Sequence, residues 1–74
     1  MDVSRPLDLL NLAKGNRVMI ELKNGKQFVG KLSAFDIHVN VVLDDTEELE
    51  NGTTKRKLGK VFLRGDTIIL LSPA

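Results

Sequence analysis

Two Asn-Gly pairs, at residues 24–25 and 51–52, constrain the fold of this chain more than any other feature. Asn-Gly favours a type I′ turn, in which both central residues adopt positive φ, and this turn joins two antiparallel strands. Before the first pair, apolar and polar residues alternate, so that Val18, Ile20 and Leu22 share one face. The sequence therefore predicts a chain of β-hairpins.

A short helix is predicted ahead of the strands. Ser4 can act as its N-cap, Pro6 is tolerated in the first turn, and Gly15 suits the position after the C-cap. A helix of about three turns is unstable alone, so we expect it to cover one open end of the sheet.

The second strand is predicted from Lys26 to about Phe35, and it contains a glycine on its apolar face. Gly30 shares that face with Phe28, Leu32 and Ala34. A glycine inside a strand permits a sharp bend or a bulge. Strongly bent strands in a short chain predict a small, highly curved barrel rather than a flat sandwich.

Composition restricts the class of protein. The 74 residues predict one domain with a marginal core. They include no Cys and one His, which excludes disulfides, thiolate zinc sites and most His-rich metal sites. The N-terminus does not resemble a signal peptide, and no apolar run is long enough to span a bilayer. We expect a cytoplasmic protein without a cofactor. Its net charge of +1 is too small for bulk capture of nucleic acid, so any such binding needs a local site.

A long strand is predicted from about His38 to Glu50, with a return strand from Thr53 to about Arg64. If Asn51-Gly52 forms a two-residue turn, residues equidistant from it face each other. Glu48 then faces Lys55, and Glu47 faces Arg56. We therefore interpret the acidic and basic runs as a hairpin whose charges neutralise each other.

The same register brings two polar motifs together. The first motif lies in a segment of alternating polarity, in which one face is expected to lie in the core and the outward face to be selected for contacts. Its polar residues are Asp36, His38 and Asn40, and its apolar residues are Ile37, Val39, Val41 and Leu43. His38 is expected opposite Gly65, and Asn40 opposite Leu63. Strict alternation would place Arg64 on the other face from His38, so the strand must end or bulge there, which Gly65 permits.

The last apolar segment, Thr67-Ile68-Ile69-Leu70-Leu71, predicts an edge strand. An exposed edge of this kind promotes aggregation unless it is paired. Head-to-tail pairing between subunits removes both edges of an open barrel and closes a ring if the rotation allows. We therefore expect a homo-oligomer.

These residues resemble the Sm/Lsm family, and most closely the archaeal Sm-like proteins. The resemblance rests on Asn24-Gly25, Phe28, Gly30-Lys31-Leu32, Phe35-Asp36, Asn40 and Leu63-Arg64-Gly65-Asp66. It divides the single domain into residues 1–15 (N-terminal segment and helix), 16–50 (first Sm motif), 51–57 (turn and variable segment) and 58–74 (second Sm motif). It implies a helix on a bent five-stranded SH3-like open barrel, the Sm fold. It also implies a ring, usually heptameric, that joins the fourth strand of one subunit to the fifth of the next, with one uridine pocket per subunit for single-stranded U-rich RNA.

The residue types suit such a pocket. His38 and Arg64 offer planar groups that stack on a base, which adds affinity without discriminating between bases. The Asn40 amide can pair with uracil N3–H and O4, and we expect Asp66 to fix its orientation by accepting an amide proton. The backbone N–H of Gly65 or Asp66 can reach O2, whereas Asp36 is expected to bond to the loop rather than to the base.

The same residues fit other functions less well. Catalysis by His38 with Asp36 or Asp66 lacks a supporting nucleophile or metal set, so we expect no enzyme and no small-molecule substrate. A ring that acts as a protein scaffold is the main alternative, although the chain has no Trp or Tyr for an SH3-type groove. Duplex DNA binding is disfavoured by the low charge.

Overall fold

The computed structural model describes residues 5–74. The elements, in chain order, are α1 (Pro6–Ala13), β1 (Arg17–Leu22), β2 (Gln27–Phe35), β3 (Val41–Glu50), β4 (Thr53–Leu63), a short 3-10 turn (Gly65–Thr67) and β5 (Ile68–Pro73). The strands form one antiparallel sheet in the order β4-β3-β2-β1-β5. The predicted helix and five strands are confirmed, and β4 and β5 are the two edges.

The helix begins at Pro6, with Arg5 as its N-cap. The Asp8 carboxylate accepts a 3.1 Å hydrogen bond from the Arg5 backbone N–H, and thus satisfies a donor at the helix start. Ser4, which the sequence predicts as the N-cap, lies outside the described residues. Gly15 follows the C-cap with φ of +85°, as predicted, and its N–H donates to the Leu32 carbonyl at 2.8 Å. This bond ties the end of the helix to β2.

The core is formed mainly by strand residues, with a smaller contribution from the helix. Val18, Ile20 and Leu22 of β1 are buried, as their alternation predicts. The other buried apolar residues within the described part of the chain are Leu10, Ala13, Phe28, Leu32, Val41, Leu43 and Leu63. The helix therefore contributes Leu10 and Ala13 to the core, and Leu7 packs against it.

Gly30 allows β2 to pass close to β3. A Cβ atom there would lie 3.0 Å from the side chains of Leu43 and Thr46, and the pairing of the two strands shifts register at this point. The predicted irregularity at Gly30 is confirmed. A second shift, between Leu32 and Ala34, turns Ala34 out of the core, so its predicted place on the apolar face is wrong.

The two Asn-Gly turns differ. Asn51 and Gly52 both have positive φ, +52° and +79°, as a type I′ turn requires. At the other turn only Gly25 has positive φ, so the type I′ prediction is wrong there. The reason is that the Asn24 side chain accepts a 3.0 Å hydrogen bond from the Lys26 N–H, which stabilises a different local turn.

The charged hairpin has a shifted register. Glu50 pairs with Thr53 and Leu49 with Thr54, as predicted, but an irregularity after Leu49 then places Glu48 opposite Arg56. The predicted pairing of Glu48 with Lys55 is therefore wrong.

The same shift places Glu47 opposite Lys57, so its predicted pairing with Arg56 is also wrong. The charges nevertheless neutralise each other, since Lys55 pairs with Glu50 at 3.4 Å and Lys60 with Asp44 at 3.0 Å.

Glu48 is the buried member of this charge set, with 3% of its surface exposed. Its carboxylate accepts a 2.7 Å hydrogen bond from Arg56 Nε. This bond is the main reason that the pKa of Glu48 lies below its ordinary value, and the nearby positive charges act in the same direction. The carboxylate is thus held ionised against the cost of burial.

Across residues 5–74 we find no helix with the length and apolar character needed to cross a lipid bilayer.

Candidate nucleic-acid interface

The segment from Asp36 to Asn40 is a tight loop between β2 and β3 rather than the start of a strand. The Val39 N–H donates to the Asp36 carbonyl at 3.0 Å, and the Asp36 N–H donates to the Asn40 carbonyl at 3.2 Å. Ile37 is consequently 75% exposed, although its alternation with Val39 and Val41 predicts a core position. That prediction is wrong because β3 begins only at Val41.

The carboxylate of Asp36 shapes this loop. Its Oδ1 accepts hydrogen bonds from the backbone N–H groups of His38, at 2.9 Å, and of Asn40, at 3.1 Å. An aspartate that bonds to the backbone two residues ahead is a common turn motif, and it competes with strand formation. Asp36 therefore bonds to the loop, as the sequence predicts.

Val39 adopts a backbone conformation that is rare for its type, with φ of +63°. A β-branched residue is strained in this region, so neighbouring contacts must hold it there. Its side chain packs against the core, which is one such contact. The loop is consequently built by Asp36 at one end and by core packing at the other.

Gly65 touches this loop through its backbone. A Cβ atom on Gly65 would overlap the His38 carbonyl oxygen and would lie 2.7 Å from the Val39 carbonyl carbon. Gly65 has no positive φ, so a glycine is needed here for close approach rather than for conformational freedom. The predicted meeting of His38 with Gly65 is thus confirmed in space, although neither residue lies in a strand.

Asn40 is the second contact between the two motifs. It does not pair with Leu63 in the sheet, as predicted, because Leu63 pairs with Val41. Instead, its side-chain Oδ1 accepts a 2.9 Å hydrogen bond from the Gly65 N–H. Its Nδ2 donates to Asp36 Oδ2 at 3.0 Å. Both ends of the Asn40 amide are therefore bound.

The carboxylate that holds Asn40 is not the one that the sequence predicts. Asp66 instead accepts a 2.9 Å hydrogen bond from Arg64, and both side chains of this ion pair are largely exposed. Asp36 takes the predicted role of Asp66, because the loop folds back and brings residues 36 and 40 together. The turn-forming tendency of Asp36 signals its bonds to the loop backbone, but nothing in the sequence signalled its contact with the Asn40 side chain.

Each hydrogen-bond partner of Asn40 determines which atom of the amide group faces it. A carboxylate only accepts and a backbone N–H only donates, so Nδ2 must face Asp36 and Oδ1 must face Gly65. One amide hydrogen and one oxygen lone pair remain for a ligand. The pKa of Asp36 lies below its ordinary value, chiefly because its carboxylate accepts the hydrogen bond from the Asn40 side chain. The loop N–H groups and the charge of His38 act in the same direction, and desolvation offsets these effects only in part. Asp36 is therefore held ionised.

The two motifs border an open cavity of about 790 Å³. The residues that line it include His38, Asn40, Arg64, Gly65 and Asp66. Asp36 does not line the cavity, but its carboxylate accepts a hydrogen bond from the Asn40 side chain. The cavity extends along apolar residues that the sequence did not assign to the site: Pro6, Leu9, Leu10, Phe62 and residues 68–71. Their apolar character was visible in the sequence, but their position beside the loop depends on the tertiary fold.

Residues 5–74 contain no cluster of three or more His, Asp or Glu side chains that could hold a metal ion.

Known proteins resemble this chain in sequence and in fold. The LSM domain family matches residues 8–73, which is most of the chain. The chain belongs to the LSM family.

Several relatives of this LSM chain are archaeal proteins. An Sm-like protein of Archaeoglobus fulgidus is 50% identical over 70 residues, which cover 95% of this chain and 91% of the relative. A Pyrococcus abyssii Sm protein, solved in complex with a uridine heptamer, is 39% identical with a TM-score of 0.91, over 96% of this chain and 100% of that one. A heptameric archaeal Sm protein is 34% identical with a TM-score of 0.82, over 88% and 94% of the two chains. The resemblance to the Sm/Lsm family and the predicted Sm fold are therefore confirmed.

The two edge strands of the LSM sheet carry exposed apolar side chains. Phe62 of β4 is 61% exposed, and Ile69 of β5 is 58% exposed. Among residues 5–74, strand β5 pairs only with β1, and β4 pairs only with β3. Each therefore presents an open backbone edge together with apolar surface.

Proposed function

We propose that this LSM protein binds single-stranded, uridine-rich RNA as a homo-oligomeric ring with one uridine pocket per subunit. Two similar proteins support this proposal, namely the Sm protein solved with a uridine heptamer and the heptameric archaeal Sm protein. The role we propose is RNA binding in RNA processing, RNA stability or ribonucleoprotein assembly, without catalysis.

The ring follows from the two open edges. An unpaired edge strand with exposed apolar side chains, such as β5 with Ile69 and Leu70, promotes association. In our proposal the β4 edge of one subunit pairs with the β5 edge of the next, which satisfies both sets of backbone groups. Because this contact is heterologous, a suitable rotation closes it into a ring. We propose seven subunits, by analogy with the heptameric relative.

The base pocket follows from the side chains at the cavity. We place a uracil between the imidazole of His38 and the guanidinium of Arg64, where stacking contributes about 1–3 kcal/mol per base. The free lone pair of Asn40 accepts from uracil N3–H, and the free amide hydrogen donates to O4. Since the Gly65 N–H is already bonded to Asn40, the contact to O2 falls to the backbone N–H of Asp66.

The observation that carries the proposal is the two-sided fixing of the Asn40 amide by Asp36 and Gly65. Uracil and cytosine present opposite donor and acceptor orders along the edge that Asn40 reads. A freely rotating amide accepts either base, whereas a fixed amide favours one of them. Such edge hydrogen bonds combined with stacking are how proteins read single-stranded RNA.

Equilibrium binding of the purified protein to fluorescent heptauridine, heptacytidine and heptaadenosine tests this function. We expect clear preference for heptauridine, and a mass measured by light scattering that corresponds to a closed ring. Equal affinity for the three oligonucleotides would contradict the uridine pocket. No binding, with protein partners that survive ribonuclease treatment of a pull-down, would favour a protein scaffold instead.

A further inference from the structure

We propose that Asn51 is a site of spontaneous chemical modification, at which the side-chain amide is converted into aspartate and isoaspartate by reaction with the backbone nitrogen of Gly52. The proposal does not depend on RNA binding, because it rests on the turn between β3 and β4. The chain contains a second Asn-Gly pair, Asn24-Gly25, in a different environment. The two pairs therefore allow a comparison within one molecule.

The reaction needs only water and the two residues, and it is one reason that asparagine is thermolabile in proteins. The Gly52 nitrogen loses its proton to hydroxide and forms a bond to Cγ of Asn51. The bond between Cγ and the amide nitrogen then breaks, and this nitrogen takes up a proton from water and leaves as ammonia. Water opens the resulting cyclic imide at the side-chain carbonyl carbon, which gives aspartate, or at the main-chain carbonyl carbon, which gives isoaspartate.

Both reacting groups are accessible at the turn between β3 and β4. Asn51 and Gly52 are exposed, and there is open space where a Gly52 side chain would begin. Within residues 5–74 we find no hydrogen bond that uses the Asn51 side chain or the Gly52 N–H. The carbon that is attacked and the nitrogen that attacks it are therefore both free.

The Asn24-Gly25 pair is held at both reacting groups. The Gly25 N–H donates a 2.9 Å hydrogen bond to the Leu22 carbonyl. Oδ1 of Asn24 accepts a 3.0 Å hydrogen bond from the Lys26 N–H. Ring closure must break the first bond because the nitrogen has to lose its proton, and it must break the second because the amide has to turn towards that nitrogen. The fold therefore protects Asn24 and leaves Asn51 open to the reaction.

The isoaspartate product alters the turn that aligns β3 with β4. Both residues of this turn have positive φ, and they connect Glu50 to its strand partner Thr53. Isoaspartate adds a carbon atom to the backbone at this point, so the type I′ geometry is lost. Both products also place a new carboxylate beside Glu50, which already pairs with Lys55. We expect the modified hairpin to be less stable.

Ageing the intact protein in mildly alkaline buffer tests the proposal. Samples are digested in acid at intervals, and mass spectrometry of the peptides that contain residues 24 and 51 measures the fraction of each amide that has been lost. We expect Asn51 to react about tenfold faster than Asn24, or more, since each of the two hydrogen bonds at Asn24-Gly25 contributes about a fivefold factor.

The same chain in concentrated urea is the control for local sequence. Unfolding removes the hydrogen bonds at Asn24-Gly25, while Lys26 and Thr53 still follow the two glycines. The two rates should then become similar. Asn51→Asp carries the charge of the products without the added backbone atom, and aspartate is accepted in type I′ turns. We expect its melting temperature to lie closer to the wild type than that of the aged, isoaspartate-rich protein.

The rates in the folded and unfolded protein decide the outcome. Faster loss at Asn51 in the folded protein, with similar rates in urea, would support the proposal. Equal rates in the folded protein, or faster loss at Asn24, would overturn it. A rate difference that stays the same in urea would also overturn it, because the neighbouring residues rather than the fold would then determine the rates.

Discussion

The backbone N–H of Gly65 donates a 2.9 Å hydrogen bond to Oδ1 of Asn40, which lies 25 residues earlier in the chain. This single bond joins the β2–β3 loop to the turn after β4. Asp36 completes the arrangement from the other end of the Asn40 amide. Two loops and one side chain thus form a unit whose exposed atoms face a cavity.

Gly65→Ala is expected to damage this unit by steric overlap. The added Cβ would meet the backbone of His38 and Val39, and overpacking of this kind costs about 1–3 kcal/mol of unfolding free energy. Affinity for oligouridine should fall by about tenfold or more, since displacements near 1 Å disturb contacts of this geometry. Thermal unfolding and fluorescence anisotropy measure the two effects.

Gly52→Ala is the matched control for Gly65→Ala. Gly52 has open space around it but φ of +79°, so alanine there is strained only by its backbone and far from the cavity. We expect some loss of stability with wild-type affinity for oligouridine. Wild-type affinity in Gly65→Ala would show that the contact of Gly65 with the loop is dispensable.

His38→Ala is expected to weaken binding without changing the base preference. Stacking on the imidazole contributes about 1–3 kcal/mol per base and does not depend on base identity. Affinities for heptauridine and heptacytidine should therefore fall by similar factors in a titration of both. Ile37→Ala, at the exposed neighbouring position, should leave both affinities as in the wild type. A loss confined to heptauridine would mean that His38 reads the base edge.

Acid should weaken the loop through Asp36. Because its pKa is lowered in the folded protein, chiefly by the Asn40 side chain, Asp36 contributes stability at pH values above its unfolded pKa. That contribution should be lost progressively as the pH falls from about 4, the ordinary pKa of an aspartate, through the lower pKa of Asp36 in the folded protein. Melting temperatures from pH 7 downwards, for the wild type and Asp36→Asn, measure this loss. The variant should show a smaller decrease, and an equal decrease in both proteins would exclude Asp36 as a contributor.

Thr46→Val is expected to stabilise the protein. The Thr46 hydroxyl is fully buried, and we find no hydrogen-bond partner for it among residues 5–74. Replacing it by a methyl group of similar size removes an unsatisfied polar group, which is worth about 1 kcal/mol of unfolding free energy. Denaturant unfolding at fixed protein concentration measures the change. Thr54→Val, which removes a 2.6 Å hydrogen bond to Glu47, should give no such gain, and a less stable Thr46→Val would contradict the prediction.

Much of the fold could be predicted because its determinants are local. The alternation of Val18, Ile20 and Leu22 defined a strand and its buried face, and Asn51-Gly52 defined the turn that aligns β3 with β4. The meeting of Asn40 with the Arg64-Gly65-Asp66 segment followed from that turn. The register itself was off by one residue for most pairs beyond Leu49, because bulges in paired strands leave no periodic trace in the sequence.

The details of the site could not be predicted because they depend on competition between side chains. The apolar alternation through Ile37 and Val39 favoured a strand, but the Asp36 carboxylate offers the backbone a turn instead. That turn exposes Ile37 and places Asp36, not Asp66, beside the Asn40 amide. Which of two aspartates reaches an amide is decided by distances that emerge only after the loop has folded.

The most direct test of the uridine pocket is the titration of fluorescent heptauridine and heptacytidine into the wild-type protein and Asn40→Ala. We predict that the wild type prefers heptauridine and that the variant binds both oligonucleotides with similar, weaker affinity, because stacking on His38 and Arg64 remains while the edge contacts are lost. A variant that keeps the wild-type preference for heptauridine would show that Asn40 does not read the base.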